Sequence, residues 1–415
     1  MEGMTTTLHV PLARYAARLH AGIGDRHHVA SPLGAWLLLA LAAPAATGGV
    51  RAELEDALGV DAATAADLAA TLVDAPHPLV PSATAVWHRA GFDPAPLANW
   101  RATLPRRTET GPLPDQAGLD AWARENTLGL IDRFPLTVSP RVLLALASAL
   151  ATRISWADPF DLVPGTALGA TSPWAGRLGQ VLRAPKHGHR AWIAPTGPAG
   201  DVAVHAASAV TSDDAGLVVV SVAADPTVGP AAVLAAAYEM SAAAVDDAAP
   251  TERRSLFDLP LGDGPAWSLR EEPVHTFAPG GREERHSAVL PCWSASDEHD
   301  LAAATLGFPA VARGLGGLLG MAELGVEVRQ AAMARYGRYG FEAAAVTGAF
   351  ALMSMPPPGV ARIAELRFGH PYAVVAVAVD RRGGTGPWHG VPVFSAWVAD
   401  PEEPAATDLA DPPEA

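Results

Sequence analysis

Gly340-Phe341-Glu342-Ala343-Ala344-Ala345-Val346-Thr347 is followed by an irregular run that ends at Pro356-Pro357-Pro358-Gly359. Judged on propensity alone, Glu342 to Val346 reads as helix, because alanine is the best helix former. A second reading competes with it. The stretch is small, nearly uncharged and leads into a proline stop, so it can be a loop in one state and a β-strand in another. Its surroundings decide between the two.

Outward from this stretch, apolar residues recur at helical spacing over 7–21, 33–43, 49–58, 62–74, 116–131 and 300–306. Strand-like runs cover Val142–Leu150, Val202–Val210, Leu217–Ala223, Tyr372–Val379 and Val391–Val398, several of them continuous and so buried on both faces. Helices first and strands mostly later fit an α+β fold. With 415 residues and 49% hydrophobic content the chain can bury one large core. One domain over 1–402 is expected, with an acidic, proline-containing tail at 403–415 that reads as disordered.

Motifs lie along most of the chain. His28-Val29-Ala30-Ser31-Pro32-Leu33 precedes an apolar helix and a second helix over Gly48 to Leu58. Leu119-Asp120-Ala121-Trp122-Ala123-Arg124-Glu125-Asn126-Thr127 follows, then Val142 to Phe160, which closes on Trp156-Ala157-Asp158-Pro159-Phe160. Late in the chain come Leu290-Pro291-Cys292-Trp293, Asp300-Leu301 and Leu306-Gly307, and finally His370-Pro371-Tyr372 and Phe394-Ser395-Ala396-Trp397-Val398-Ala399-Asp400-Pro401. In this order they resemble the serpins, matching their "SPLS", "N-x-W-V-x-x-x-T", "W-x-x-P-F", "L-P-K-F…DL…LG", "H-P-F" and "F-x-G-x-V-x-x-P" signatures. Residues 165 to 285 match poorly. The resemblance implies helices packed on large mixed and antiparallel sheets, with an exposed reactive loop.

It also implies a function. Serpins trap a serine protease as an acyl-enzyme when the cut loop inserts as a central strand of a β-sheet. Gly340, Phe341, Glu342, Ala343, Ala344, Ala345, Val346 and Thr347 would be the loop hinge, which must be small enough to enter a sheet. The family approach is similar to "Q-x-x-x-x-x-V-D-E-E-G-T-E-A-A-A", and Gln330 to Gly340 keeps its spacing. On that register Arg338 replaces a glutamate, Tyr339 follows it as a second departure, and Phe341 replaces a small threonine that points inward. A large side chain forced into a packed interior costs ~1–3 kcal/mol, and each ~1.4 kcal/mol on a barrier slows it about tenfold. Non-inhibitory serpins resemble this pattern. Usual loop length puts the scissile bond near Ser354-Met355, after Leu352 and Met353. Leu, Met or Ser on the acyl side suits a chymotrypsin-like, subtilisin-like or elastase-like partner. The alternative for this region is a surface loop capped by a polyproline segment.

Composition excludes other classes. A net charge of −15 with 29 Lys+Arg argues against nucleic acid. The apolar run Leu37 to Ala46 contains Pro44 and is too short for a membrane, which needs ~20 residues. Residues 1 to 25 carry His9, Arg14, Arg18 and His20 without a signal-type apolar run, and Cys292 stands alone. A cytoplasmic monomer is expected. Lys186-His187-Gly188-His189 places two imidazoles where a metal site can start, but no third ligand follows, so a solvated turn is favoured. Cys292 near His286 or His299 could be a thiol and base, though its place between Pro291 and Trp293 favours a buried structural role. No metal and no cofactor is expected. Two functions remain: a suicide inhibitor of a serine protease, or a non-inhibitory protein on the same fold, a binder or a repurposed small-molecule biosynthetic enzyme.

Overall fold

The computed structural model describes residues 4–139, 142–152, 154–209, 214–245, 253–321, 324, 328–340 and 357–410. At its centre is the helix Pro32–Ala42, whose eleven residues are all buried. Apolar on every face, it cannot lie at a surface and takes the middle of the core instead. Ser31 caps it by accepting the Gly34 N–H at 3.3 Å, and Pro32 occupies the first turn, where no donor is missed. Met4–Ile23, Gly48–Leu58, Ala62–Asp74 and Phe308–Leu318 pack around it.

A six-stranded antiparallel sheet runs in the order His28–Ala30, Pro392–Val398, Tyr372–Asp380, Ala215–Ala223, Gly200–Ser208, His189–Thr196. Leu217, Val219 and Ala223 face the main core, whereas Val218, Val220 and Val222 face a second core under the helix Pro230–Val245. Alternate side chains point to opposite faces of a strand, so burial on both faces explains the unbroken apolar runs. A second six-stranded sheet joins Gly262–Asp263, Trp267–His275, Pro358–Arg367, Arg282–Leu290, Gln180–Arg183 and Asp161–Pro164. Among the described residues, no helix is long and apolar enough to cross a membrane.

The remaining strands form two separate pieces. Among the described residues, Glu109–Pro112, Ser82–His88 and Leu144–Leu150 make a three-stranded sheet, and Trp293–Asp300 pairs with Arg329–Tyr336 in a two-stranded one. The molecule is α+β, as expected.

Several expectations change. The helix expected over 116–131 stops at Asn126, where Leu128 and Gly129 turn left-handed. The helix expected at 300–306 is the end of a strand and one 3-10 turn, Ala304–Leu306, before the true helix begins at Phe308. The tail expected to be disordered is packed through Ala410, with Ala406–Leu409 helical and Asp408 only 3% exposed. Its acidic residues find distant donors, which no local composition reveals. Pro357 and Pro358 are not a free polyproline cap: the Pro357 carbonyl accepts the Thr276 N–H at 2.9 Å and Pro358 opens a strand opposite His275.

Candidate functional site: the gap between two half-sheets

Among the described residues, Leu144–Leu150 is hydrogen-bonded along one side, from Ser82↔Leu150 to His88↔Leu144. Among the same residues, Arg329–Tyr336 pairs with Trp293–Asp300 along one side. Among the described residues no ladder joins these two edges. A cavity of about 860 Å³ runs between them, lined by Leu144 to Leu150 on one side and Arg329 to Ala331 on the other. Leu38, Phe308 and Val311 form its apolar floor, and Trp122 and Phe134 also line it. An unpaired edge is a template for another strand. Here two edges flank one space, so an inserted strand would be bonded on both sides.

Both edges are fastened to the start of the buried helix. Ser31 N–H donates to Gln330 Oε1 at 2.9 Å, and Gln330 Nε2 donates to the Ser31 carbonyl at 2.8 Å. On the other edge, Ser148 Oγ donates to the Gly34 carbonyl at 2.8 Å. A Cβ on Gly34 would press on Leu150 Cδ1 at 3.1 Å and Ser148 Oγ at 3.2 Å, so glycine permits the approach.

The gap closes at one end. Trp156 N–H donates to the Tyr339 carbonyl at 3.2 Å, Trp156 Nε1 to the Gly337 carbonyl at 2.9 Å, and Phe160 N–H to the Arg338 carbonyl at 3.0 Å. Arg338 Nε returns a bond to the Phe160 carbonyl at 3.2 Å, and Ser155 bridges Gly340. Trp156 packs on Tyr336, their ring centroids 5.0 Å apart, and Tyr336 stacks on Trp293. Gly340 has φ +80°, and a Cβ there would collide with the Ile154 carbonyl. Gly340 thus stands beside the gap, and Pro357, the next described residue, borders another sheet.

Of the residues expected to act, Gly340 stands at the closed end of the gap. Phe341, Glu342, Ala343, Ala344, Ala345, Val346 and Thr347, with Leu352, Met353, Ser354 and Met355, lie outside the described residues. Arg338 and Tyr339, read as departures from the hinge pattern, are engaged with the packed tail: Arg338 N–H donates to Asp408 Oδ1 at 2.9 Å and Tyr339 OH to the Ala410 carbonyl at 2.9 Å. His189 is held between His205 at 3.0 Å and the Asp158 carbonyl at 2.8 Å, under the ring of Phe160. Cys292 is buried, and burial pushes its thiol far above the usual range, which suits a structural residue. Among the described residues, no three His, Cys, Asp or Glu side chains gather as a metal set.

Behind the two-stranded half-sheet lies a buried hydrogen-bond chain that sequence reading missed. His28 Nδ1 contacts the Arg26 carbonyl at 2.7 Å, which requires a proton on Nδ1 and leaves Nε2 to accept. His20 Nδ1 therefore donates to His28 Nε2 at 2.7 Å, and Ser395 Oγ donates to His20 Nε2 at 2.7 Å. Tyr238 OH completes the chain by donating to Ser395 Oγ at 3.0 Å. Burial, with the neighbouring His28 and His299, lowers His20 to about 3, and burial lowers His28 to about 4. His299, on the strand Trp293–Asp300, donates to the Val29 carbonyl at 2.6 Å and ties the half-sheet to this chain. The residues are scattered over His20 to Ser395, so no spacing signals them.

Solved structures share this overall fold over nearly the whole chain. The structure of thyroxine-binding globulin in complex with thyroxine matches at 15% identity and TM-score 0.60, covering 95% of this chain and 99% of that one. Cleaved Serpin 42Da matches at 15% identity and TM-score 0.61, covering 97% and 98%. The chain has the serpin fold. The Arabidopsis serpin AtSerpin1, in its native stressed conformation, matches at 14% identity and TM-score 0.58, covering 96% and 98%. No protein-family model matches the sequence, and no curated protein matches it. The motif residues Ser31 and Trp156 sit at the floor and the closed end of the gap. Sequence reading found them only as fold markers.

Proposed function

We propose that this protein is a loop-insertion inhibitor of a serine protease with chymotrypsin-like, subtilisin-like or elastase-like preference, acting in the reducing compartment that a lone buried Cys292 suits. The observation that carries the reading is the pair of unpaired edges, Leu144–Leu150 and Arg329–Tyr336, around a gap that begins where Gly340 releases the loop. A protease that cuts near Ser354 forms an ester with the residue on the acyl side. The freed segment from Phe341 onward enters the gap and carries the enzyme with it before water reaches the ester. Each ladder bond gained contributes about 1 kcal/mol net, and a strand with two partners gains on the order of ten such bonds. Insertion is therefore strongly downhill.

Mixing the protein with a subtilisin-like, an elastase-like and a chymotrypsin-like protease tests the reading. A band that survives SDS and carries both chains supports it. Complete turnover without such a band, for all three enzymes, removes the inhibitor reading.

A specific observation favours a second reading, a non-inhibitory binder. Arg338 and Tyr339, next to the hinge, are fixed by tail contacts. On this reading the apolar gap takes a small ligand in place of the loop.

A further inference from the structure

Gly337 to Tyr339 is gripped from two sides. One side is the contact with Trp156 and Phe160 that closes the gap. The other is the C-terminal segment Glu402–Ala410. Asp408 Oδ1 accepts the Arg338 N–H at 2.9 Å, and Oδ2 accepts Arg335 Nη2 at 2.6 Å and the Ala405 N–H at 3.2 Å. The Asp408 carbonyl accepts Arg338 Nη1 at 3.3 Å, and the Ala410 carbonyl takes the Tyr339 hydroxyl at 2.9 Å. A Cβ on Gly337 would meet Asp408 Oδ1 at 2.7 Å, so the carboxylate lies directly on bare backbone. The segment is itself anchored: Glu402 N–H donates to the Cys292 carbonyl at 2.9 Å and Gly179 N–H to Glu403 Oε1 at 2.6 Å.

We propose that Glu402–Ala410 is a latch that sets how fast the gap opens, with Asp408 as its bolt. This rests on the loop-insertion reading above and names a regulator of the same site. A strand can enter only after Gly337–Gly340 parts from Ser155–Phe160. Asp408 holds the carbonyls of Gly337, Arg338 and Tyr339 in the orientation that Trp156 and Phe160 require, through a charge-assisted bond to the Arg338 amide and another to the Arg335 side chain. With the carboxylate gone, the strand end loosens and the closing contacts break more often. The departures from the hinge pattern at Arg338 and Tyr339 then have a purpose: both side chains receive the latch. Their bulk is parked against the tail, outside the gap.

The test compares the parent protein with Asp408→Asn, Asp408→Ala and a control, Asp56→Asn, which removes an exposed ion pair with Arg18 outside the latch. The loop is cut with a subtilisin-like protease, and conversion to a heat-resistant form is followed with time. Amide exchange at Trp156 and Phe160 is measured on uncut protein. The latch predicts conversion about tenfold faster in Asp408→Ala, a smaller gain in Asp408→Asn, none in Asp56→Asn, and faster exchange at both amides in the Asp408 variants. If the parent converts and both Asp408 variants convert at its rate with unchanged exchange, the latch is overturned. If no protein converts, loop insertion fails, while the exchange of Trp156 and Phe160 still decides whether Asp408 holds the gap closed. Should Asp408→Ala not fold, Asp408→Asn carries both readouts.

Discussion

Gln330 and Ser31 exchange two hydrogen bonds, at 2.9 and 2.8 Å, across the floor of the gap between the half-sheets. The pair fastens the edge strand Arg329–Tyr336 to the first turn of the helix on which the core is built. A Gln330→Ala change leaves the Ser31 N–H without its partner beside an apolar cavity, and the Ser31 carbonyl with the Ala35 N–H at 3.4 Å. An unsatisfied buried polar group costs about 1–3 kcal/mol. Denaturant unfolding of this variant is expected to show a loss in that range, with earlier exposure of the half-sheet to amide exchange.

The His20–His28 chain gives the fold an acid limit. Both imidazoles are neutral in the folded protein, lowered to about 3 and about 4 from 6.5 in the unfolded chain. His299, Arg26 and Asp297 face the same cluster; the Arg26 carbonyl and the Asp297 carboxylate oppose the lowering of His28, while the charges of His299 and Arg26 add to it. Above about pH 6.5 neither state binds the protons, so stability is complete. As pH falls, the unfolded chain takes them up first and stability drains away until the folded imidazoles titrate near pH 4 and 3. The pair makes this loss several kcal/mol on the order-of-magnitude scale. Urea midpoints measured from pH 7.5 to 4 are expected to fall steadily below pH 6.5, with a shallower slope in a His20→Phe variant.

Phe341 stands, by register, where the first inserting residue of the loop should be small. Phe341→Thr is expected to speed insertion after cleavage by about 10- to 100-fold, as relief of ~1–3 kcal/mol of overpacking on the barrier implies. Stopped-time SDS gels with a subtilisin-like protease give the ratio of trapped to turned-over protein. An unchanged ratio argues that Phe341 does not enter the sheet.

What the sequence shows and hides follows from distance along the chain. Leu217–Ala223 and Tyr372–Val379 announce themselves because a strand buried on both faces must be apolar throughout. Pro32–Ala42 does the same for a buried helix. Arg329–Tyr336 is harder, since an edge strand with Arg329, Gln330 and Arg335 among alanines has neither strand alternation nor a helical face. The gap itself leaves no local signal. It is a missing ladder between strands almost two hundred residues apart, and only the family motifs pointed to it. Asp408 was misread for a related reason: an acidic, proline-containing tail is disordered only if nothing receives it, and Arg335 and Arg338 do.

The decisive measurement is the melting temperature before and after a single cut between Phe341 and Met355. Insertion of the freed strand between Leu144–Leu150 and Arg329–Tyr336 adds on the order of 10 kcal/mol in ladder bonds, so the cut protein is expected to melt more than about 10 °C higher. A cut protein that melts at or below the temperature of the intact one would contradict insertion and leave the gap as a ligand cavity.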